Sequence, residues 1–178
     1  MPVFEWEAAL PVYPMALPVY VSVLPVLWLA FLWGASAAPE TNDDGARRLR
    51  RLVLGVLIAL AVAGLCFWLA PTEVPRRRLV SGAGAMTEIM TEALVALRAV
   101  DPPRNALPSL HVALAALAAA HLCRSASVGW ARLALWGWVV AVWASTVLLE
   151  QHAVLDGAAG LLLALCADAL ARRLSARP

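Results

Sequence analysis

Two long stretches without a charged side chain constrain this chain more than any other feature. From Ala8 to Trp33, and again from Leu52 to Ala70, no Asp, Glu, Arg or His occurs, and the chain has no Lys at all. A run of ~20 apolar residues crosses the hydrocarbon core of a bilayer as a helix, and inside that core every backbone N–H and C=O must find its partner within the protein. Composition agrees: 62% of residues are hydrophobic and the mean hydropathy is +0.77, against an apolar share of about half in soluble domains. An integral membrane protein follows.

The rest of the chain extends the pattern. Pro11, Pro14, Pro18 and Pro25 fall in the first half of the first crossing and should bend or fray it. A turn-rich polar loop is expected from Ala38 to Ala46, followed by Arg47, Arg48, Arg50 and Arg51, a basic cluster that places this loop in the cytoplasm. Leu52 to Ala70 then runs outward. Met86, Ile89, Met90, Ala93, Leu94 and Leu97 repeat at helical spacing, with Glu88, Glu92 and Arg98 on other faces, so an amphipathic helix at the outer interface is expected there. Further crossings are expected from about Ser109 to Cys123, from Leu133 to Leu149 and from Ala153 to Ala171, with Arg124, Arg132, Arg172, Arg173 and Arg177 marking inner ends.

The expected fold is all-α, a polytopic transmembrane bundle of about five spans plus an outer amphipathic helix, with the amino terminus outside and the carboxyl terminus inside. A single membrane-embedded domain covers 1–178, in which 1–51 form the first span and cytoplasmic loop and 52–178 the catalytic bundle. No Arg precedes Arg47, so the basic region of a cleavable signal is missing and the first apolar segment is expected to remain. The Ala-rich, all-Arg composition suggests a bacterial plasma membrane.

All 14 basic residues are Arg, which removes Schiff-base and Lys-nucleophile chemistry. Cys66, Cys123 and Cys166 sit in separate apolar segments without paired spacing, indicating neither a zinc site nor a disulfide framework. The net charge of +2 says little about partners. The membrane and a lipid are expected, nucleic acid is not.

Ionisable groups at the rim of a span are costly unless they serve a site, and here they gather in three places. His152 and Asp156 lie one helical turn apart, close enough for the carboxylate to orient the imidazole, although a helix-capping pair is the plain alternative. Ser109 and His111 stand at a helix start after Pro108, where free amides and the helix dipole favour an anion. Arg76, Arg77 and Arg78 follow a Pro-rich turn on the outer side, against the positive-inside bias, and a planar guanidinium fork suits phosphate. Anchorage to lipid headgroups is the other reading of these arginines. The topology puts all three groups on one outer face. His121 comes about 15 Å after His111 along a helix and is expected to be structural.

Two histidines, one with a carboxylate behind it, beside arginines and a helix amino end, are the parts needed for phosphoryl transfer through a phosphohistidine. Other chemistries fit the same side chains. Ser109 as nucleophile with His152 as base and Asp156 as orienter would make a serine hydrolase, without a Gly-x-Ser-x-Gly elbow. His111, His152 and Asp156 could hold a metal, and a non-catalytic lipid-binding protein is a further alternative.

At this point the residues resemble a family. Pro108-Ser109-Leu110-His111 resembles the second motif, Pro-Ser-Gly-His, of the type 2 phosphatidic acid phosphatase (PAP2) superfamily, and Ser145 through Asp156 resembles its third, with serine, histidine and aspartate in the family's spacing. The resemblance covers about the last two thirds of the chain. It implies His152 as nucleophile, Asp156 as its partner, His111 as general acid and Ser109 as a phosphate contact, in a lipid phosphatase that needs no metal or cofactor. Departures stand beside it: Leu69 occupies the place of the first motif's lysine if Arg76 is its arginine, and Thr146 the place of the third motif's arginine. Pro71 to Arg76, Asn105 to His111 and the Ser145-Thr146 and Gln151-His152 pairs look more like the branch containing the inositol phosphorylceramide synthases, which implies headgroup transfer between lipids as the alternative to hydrolysis. Arg76, Arg77, Arg104, Asn105, Ser109, Ser145 and Thr146 are thus the groups expected around a lipid phosphate, with Arg77, Arg78 or Arg104 filling the vacant positive positions.

Overall fold

Prolines break the first apolar stretch where they fall. A computed structural model, which describes residues 4–36, 43–77, 79, 84–101, 103–125 and 128–175, starts with α1 (Glu5–Ala9), a 3-10 turn at Pro14–Ala16, α2 (Leu17–Val21) and α3 (Val23–Ser36). Pro25 has no N–H to offer the Val21 carbonyl, and the helix interrupts at Ser22. The hydroxyl of Ser22 accepts from Trp138 Nε1 at 2.9 Å and donates to Val19 O at 2.6 Å, so the break is tied to a neighbouring helix.

Then follow α4 (Asp43–Leu69), α5 (Ala85–Val100), α6 (Leu110–Ser125), α7 (Gly129–Leu148) and α8 (Val154–Ser175). Among the described residues all regular structure is helical, apart from one isolated parallel bridge between Thr72 and Asn105. Four helical segments are long and apolar enough to cross a membrane, Pro14–Ala35, Gly45–Leu69, Gly129–Leu148 and Val154–Ser175, and Leu110–Arg124 is a shorter apolar helix. The polytopic helical bundle expected from the sequence is therefore present in an integral membrane protein.

Two local expectations are corrected. Of the stretch expected as a loop, residues 38–42 lie outside the described residues and 43–46 are helical, because α4 begins at Asp43 and carries Arg47, Arg48, Arg50 and Arg51 in its first turns. Arginine is a good helix former, and Arg51 finds a bidentate partner in Asp168 of α8. In α5, Arg98 does not sit on a solvated face: its side chain is 12% exposed and donates to Leu149 O at 2.9 Å. That helix buries Leu94 against Ala16, Leu17, Tyr20 and Leu149, so it docks on the bundle by one face. Arg78, Pro102 and Arg177 lie outside the described residues.

Helix α6 occupies the centre, against α3, α4, α7 and α8. Its Ala113, Ala115, Ala116, Ala118 and Ala119 are buried, and small side chains let helices approach closely where no hydrophobic driving force exists between them. The approach to α8 is close at Gly160, where a Cβ would lie 2.3 Å from the carbonyl oxygen of Ser109, just before α6. At the far end of the bundle Arg51 and Arg124 both bond Asp168, and His121 is buried beside Gly34, the structural place expected for it.

Candidate active site

The turn after α7 is built to present a side chain. Gln151 N and His152 N both donate to Thr146 O, at 2.9 and 3.2 Å, so the chain folds back on the end of the helix. Glu150 pays for the reversal with a φ of 54°, a left-handed conformation that costs a non-glycine residue roughly 1–2 kcal/mol. Its carboxylate is what holds it there, accepting from the Arg77 backbone N–H at 2.8 Å, from Arg77 Nε, and from Arg98 Nη2 at 3.3 Å. His152 follows at once.

A second segment meets this turn. Residues 105–109 hang on Thr72, whose hydroxyl accepts from Leu107 N at 2.9 Å, and on α8, where Ser109 N donates to Asp156 O at 2.9 Å. In this register Ala106 O lies 2.8 Å from His152 Nδ1. A carbonyl can only accept, so the proton sits on Nδ1 and the lone pair of the neutral ring on Nε2.

The two imidazoles come together. The rings of His111 and His152 have centroids 6.2 Å apart and face one cavity of about 300 Å³. Arg76, Asp101, Asn105 and Gln151 supply its other polar walls, and Val23, Leu24, Phe67, Leu110 and Leu114 its apolar side. Arg76 is pinned by Asp101 O at 2.6 Å and by Gln151 Oε1, with the Asp101 carboxylate 3.7 Å away. His111 stacks on Tyr20 with ring centroids 4.0 Å apart, and the phenol oxygen lies 3.2 Å from His111 Nδ1. Burial, then the neighbouring His111 and Arg76, push the pKa of His152 down to about 3, against the bond that its Nδ1–H donates to Ala106 O, so the ring is neutral at ordinary pH. Burial raises the Asp101 carboxyl, and Arg76 counteracts it.

Of the expected residues that are described, Arg76, Asn105, His111 and His152 line this cavity and the others do not. Asp156 lies 3.9 Å from His152 Nδ1, and its Oδ2 instead accepts from Ala153 N at 2.8 Å, capping α8 as a carboxylate in a first helical turn does. Ser109 is fully buried, with its hydroxyl 3.5 Å from Val112 N. Ser145 and Thr146 turn their hydroxyls back to the carbonyls of Val142 and Trp143, because a buried helical hydroxyl without another partner bonds its own preceding turn. Arg77 is engaged by Glu150 and the Leu10 carbonyl, and Arg104 is an exposed partner of Glu73. The contacts of Arg77 and Arg104 depend on partners distant in the chain, whereas those of Asp156, Ser109, Ser145 and Thr146 are made to residues three positions away.

Three polar residues that line or touch the site were not among those expected around it: Tyr20, Asp101 and Gln151, the last noted only as half of the Gln151-His152 pair. A tyrosine in an uncharged span is a usable signal, because its hydroxyl must find a partner when buried. For Gln151 the only signal was its position beside His152.

The family model described as the PAP2 superfamily matches residues 6–170 of the chain. No curated protein and no solved structure matches it.

Proposed function

Since this chain belongs to the PAP2 superfamily, we propose that it is a membrane enzyme that breaks a phosphoester or phosphoanhydride bond of a lipid phosphate, with His152 as nucleophile. The observation that carries the reading is the pairing of two imidazoles across one cavity, centroids 6.2 Å apart, with His152 Nδ1 committed to Ala106 O. His152 Nε2 attacks phosphorus, the bond to the leaving oxygen breaks, and His111 delivers a proton to that oxygen. The histidine that gives up this proton is the imidazolium, both of whose nitrogens donate, so His111 Nδ1–H would donate to the Tyr20 oxygen and leave Nε2–H for the leaving oxygen. Water or a second alcohol then attacks the phosphohistidine while His111 takes its proton back. The Asp156 carboxylate and the Ala106 carbonyl support the cationic ring in between, and Arg76 meets the phosphoryl charge.

The apolar wall of Val23, Leu24, Phe67, Leu110 and Leu114 supports a lipid as substrate, its tail passing between α3 and α4. Arginines gather at the opposite end of the bundle, where Arg51, Arg124 and Arg172 surround Asp168, which favours an extracytoplasmic site by the positive-inside rule. No step calls for a metal. A serine hydrolase is disfavoured because Ser109 is buried away from the cavity. Transfer of a phospho-headgroup, as in the inositol phosphorylceramide synthase branch, uses the same first step, with an alcohol in place of water in the second.

The test is purified protein offered phosphatidic acid, undecaprenyl pyrophosphate and an inositol phospholipid, with phosphate release and new lipid products followed against His152→Ala. Turnover that disappears in the variant supports the reading. Turnover that survives it, or none from the unaltered protein, overturns it.

A further inference from the structure

Among the described residues, two nitrogen donors at the site are buried without a hydrogen-bond partner, Arg76 Nε and Gln151 Nε2. Both residues line the cavity shared by His111 and His152. Gln151 is 3% exposed, and its amide is oriented by chemistry: a guanidinium has only donors, so Oε1 must be the atom that faces Arg76. The NH₂ is thereby turned from Arg76 and has nothing to bind. A buried donor left without an acceptor costs about 1–3 kcal/mol, and an unpaired group at a cavity calls for an occupant that supplies one.

Hydroxyl donors nearby are already spent. Ser145 and Thr146 bond the carbonyls of their own helix, and the Ser109 hydroxyl lies at the start of α6, outside the cavity lining. Among the described residues Arg76 is the guanidinium in the lining, and it is partly countered by Asp101, 3.7 Å from it. Charge alone is thus weakly supplied here, and neutral donors gain in importance.

We infer that Gln151 is a substrate-contacting residue whose amide NH₂, beside Arg76 Nε, donates to the non-bridging oxygens of the phosphoryl group held between His111 and His152. This rests on the proposed phosphoryl chemistry and adds to it a second duty for Gln151 besides anchoring Arg76. As the bond to the leaving oxygen breaks, charge on the non-bridging oxygens is redistributed, and a donor fixed in a water-poor site stabilises it without reorganising.

Gln151→Glu separates contact from anchorage, since it keeps the length of the side chain and an acceptor for Arg76 and removes the NH₂. Gln151→Met, uncharged and of similar length, controls for the added charge and for a folding defect of the first variant. Each is compared with the unaltered full chain in detergent on the lipid phosphate it turns over best, and for inhibition by orthovanadate, which mimics five-coordinate phosphorus. Expected for both is a loss in kcat of about 100-fold or more, KM changed far less, and vanadate inhibition weakened in parallel, with the thermal midpoint of Gln151→Glu close to that of the unaltered chain. Either variant with unaltered kcat and vanadate inhibition overturns the inference and leaves the phosphoryl-transfer reading standing. An unaltered protein that neither turns over lipid phosphate nor responds to vanadate overturns that reading, and the inference with it.

Discussion

The imidazole of His152 is held by a backbone carbonyl, Ala106 O at 2.8 Å from Nδ1, while the Asp156 carboxylate stands 3.9 Å from the same nitrogen. The carbonyl fixes tautomer and orientation; the carboxylate is left to support charge and to cap α8. Asp156→Asn keeps an acceptor for Ala153 N and should therefore lower kcat by only about 10-fold, against a loss of 10³-fold or more for His152→Ala. Equal losses in the two variants would show that the carboxylate, not Ala106, sets the ring.

Tyr20 touches His111 both through its ring and through its hydroxyl. Tyr20→Phe retains the stacking and deletes the hydrogen bond, so we expect the protein to fold with about the same thermal midpoint and to lose roughly 10-fold in kcat, in the range of a positioning contact to a general acid. Steady-state kinetics with KM and kcat separated checks this, and an unchanged kcat would remove Tyr20 from the mechanism.

The pKa of His152, about 3 against 6.5 for a free imidazole, has a definite sign for stability. The folded ring resists protonation, so between these values the unfolded chain binds the proton first. The stability that the neutral ring contributes is complete above pH 6.5 and is lost as the pH falls toward about 3. Imidazole NMR signals assigned through His152→Ala should show no titration of this ring between pH ~8 and ~5, and the thermal midpoint of the unaltered chain should fall faster below pH 6.5 than that of His152→Ala. A ring titrating near 6.5 contradicts the buried, neutral site.

Arginines that looked alike in the sequence should separate sharply. Arg104 is an exposed partner of Glu73, with a side chain 73% exposed, and Arg104→Ala should leave turnover within about twofold. Arg76 faces the cavity with its side chain 11% exposed, and Arg76→Ala should cost about 100-fold or more in kcat/KM. Comparable effects in the two variants would mean that phosphate is met elsewhere.

Gly160 sets the approach of α8 to the start of α6. A methyl group there would stand 2.3 Å from Ser109 O, a backbone atom with no rotamer to yield, so Gly160→Ala should destabilise by about 1–3 kcal/mol and also reduce turnover by moving His111 away from His152. Thermal unfolding in detergent measures the first and kcat the second. A variant with unaltered stability and rate would mean that the two helices are not pressed together at this point.

The crossings were legible in the sequence because transfer into a bilayer is decided segment by segment, and uncharged runs such as Leu52 to Ala70 carry that information alone. The two histidines were legible for a related reason, since polar groups at the rims of such runs need a purpose. Arg98 was misplaced because helical spacing gives a face and not what covers it; the carbonyl of Leu149 does. Ser109, Ser145 and Thr146 carry family-like identities, yet their hydroxyls are consumed locally or buried, which depends on where water and neighbours are.

By itself the sequence determined a helical membrane bundle and nominated His111 and His152, through composition and spacing that act within single segments. Only the tertiary structure decided that Ala106 holds His152, that Tyr20 holds His111, and that Arg76 and Gln151 face the cavity while Arg77 and Arg104 do not. These contacts join residues as far apart as 46 and 91 positions in the chain. A hydrogen bond of this kind forms where helices pack, and packing depends on the fit of all the crossings together, which no single stretch of residues contains.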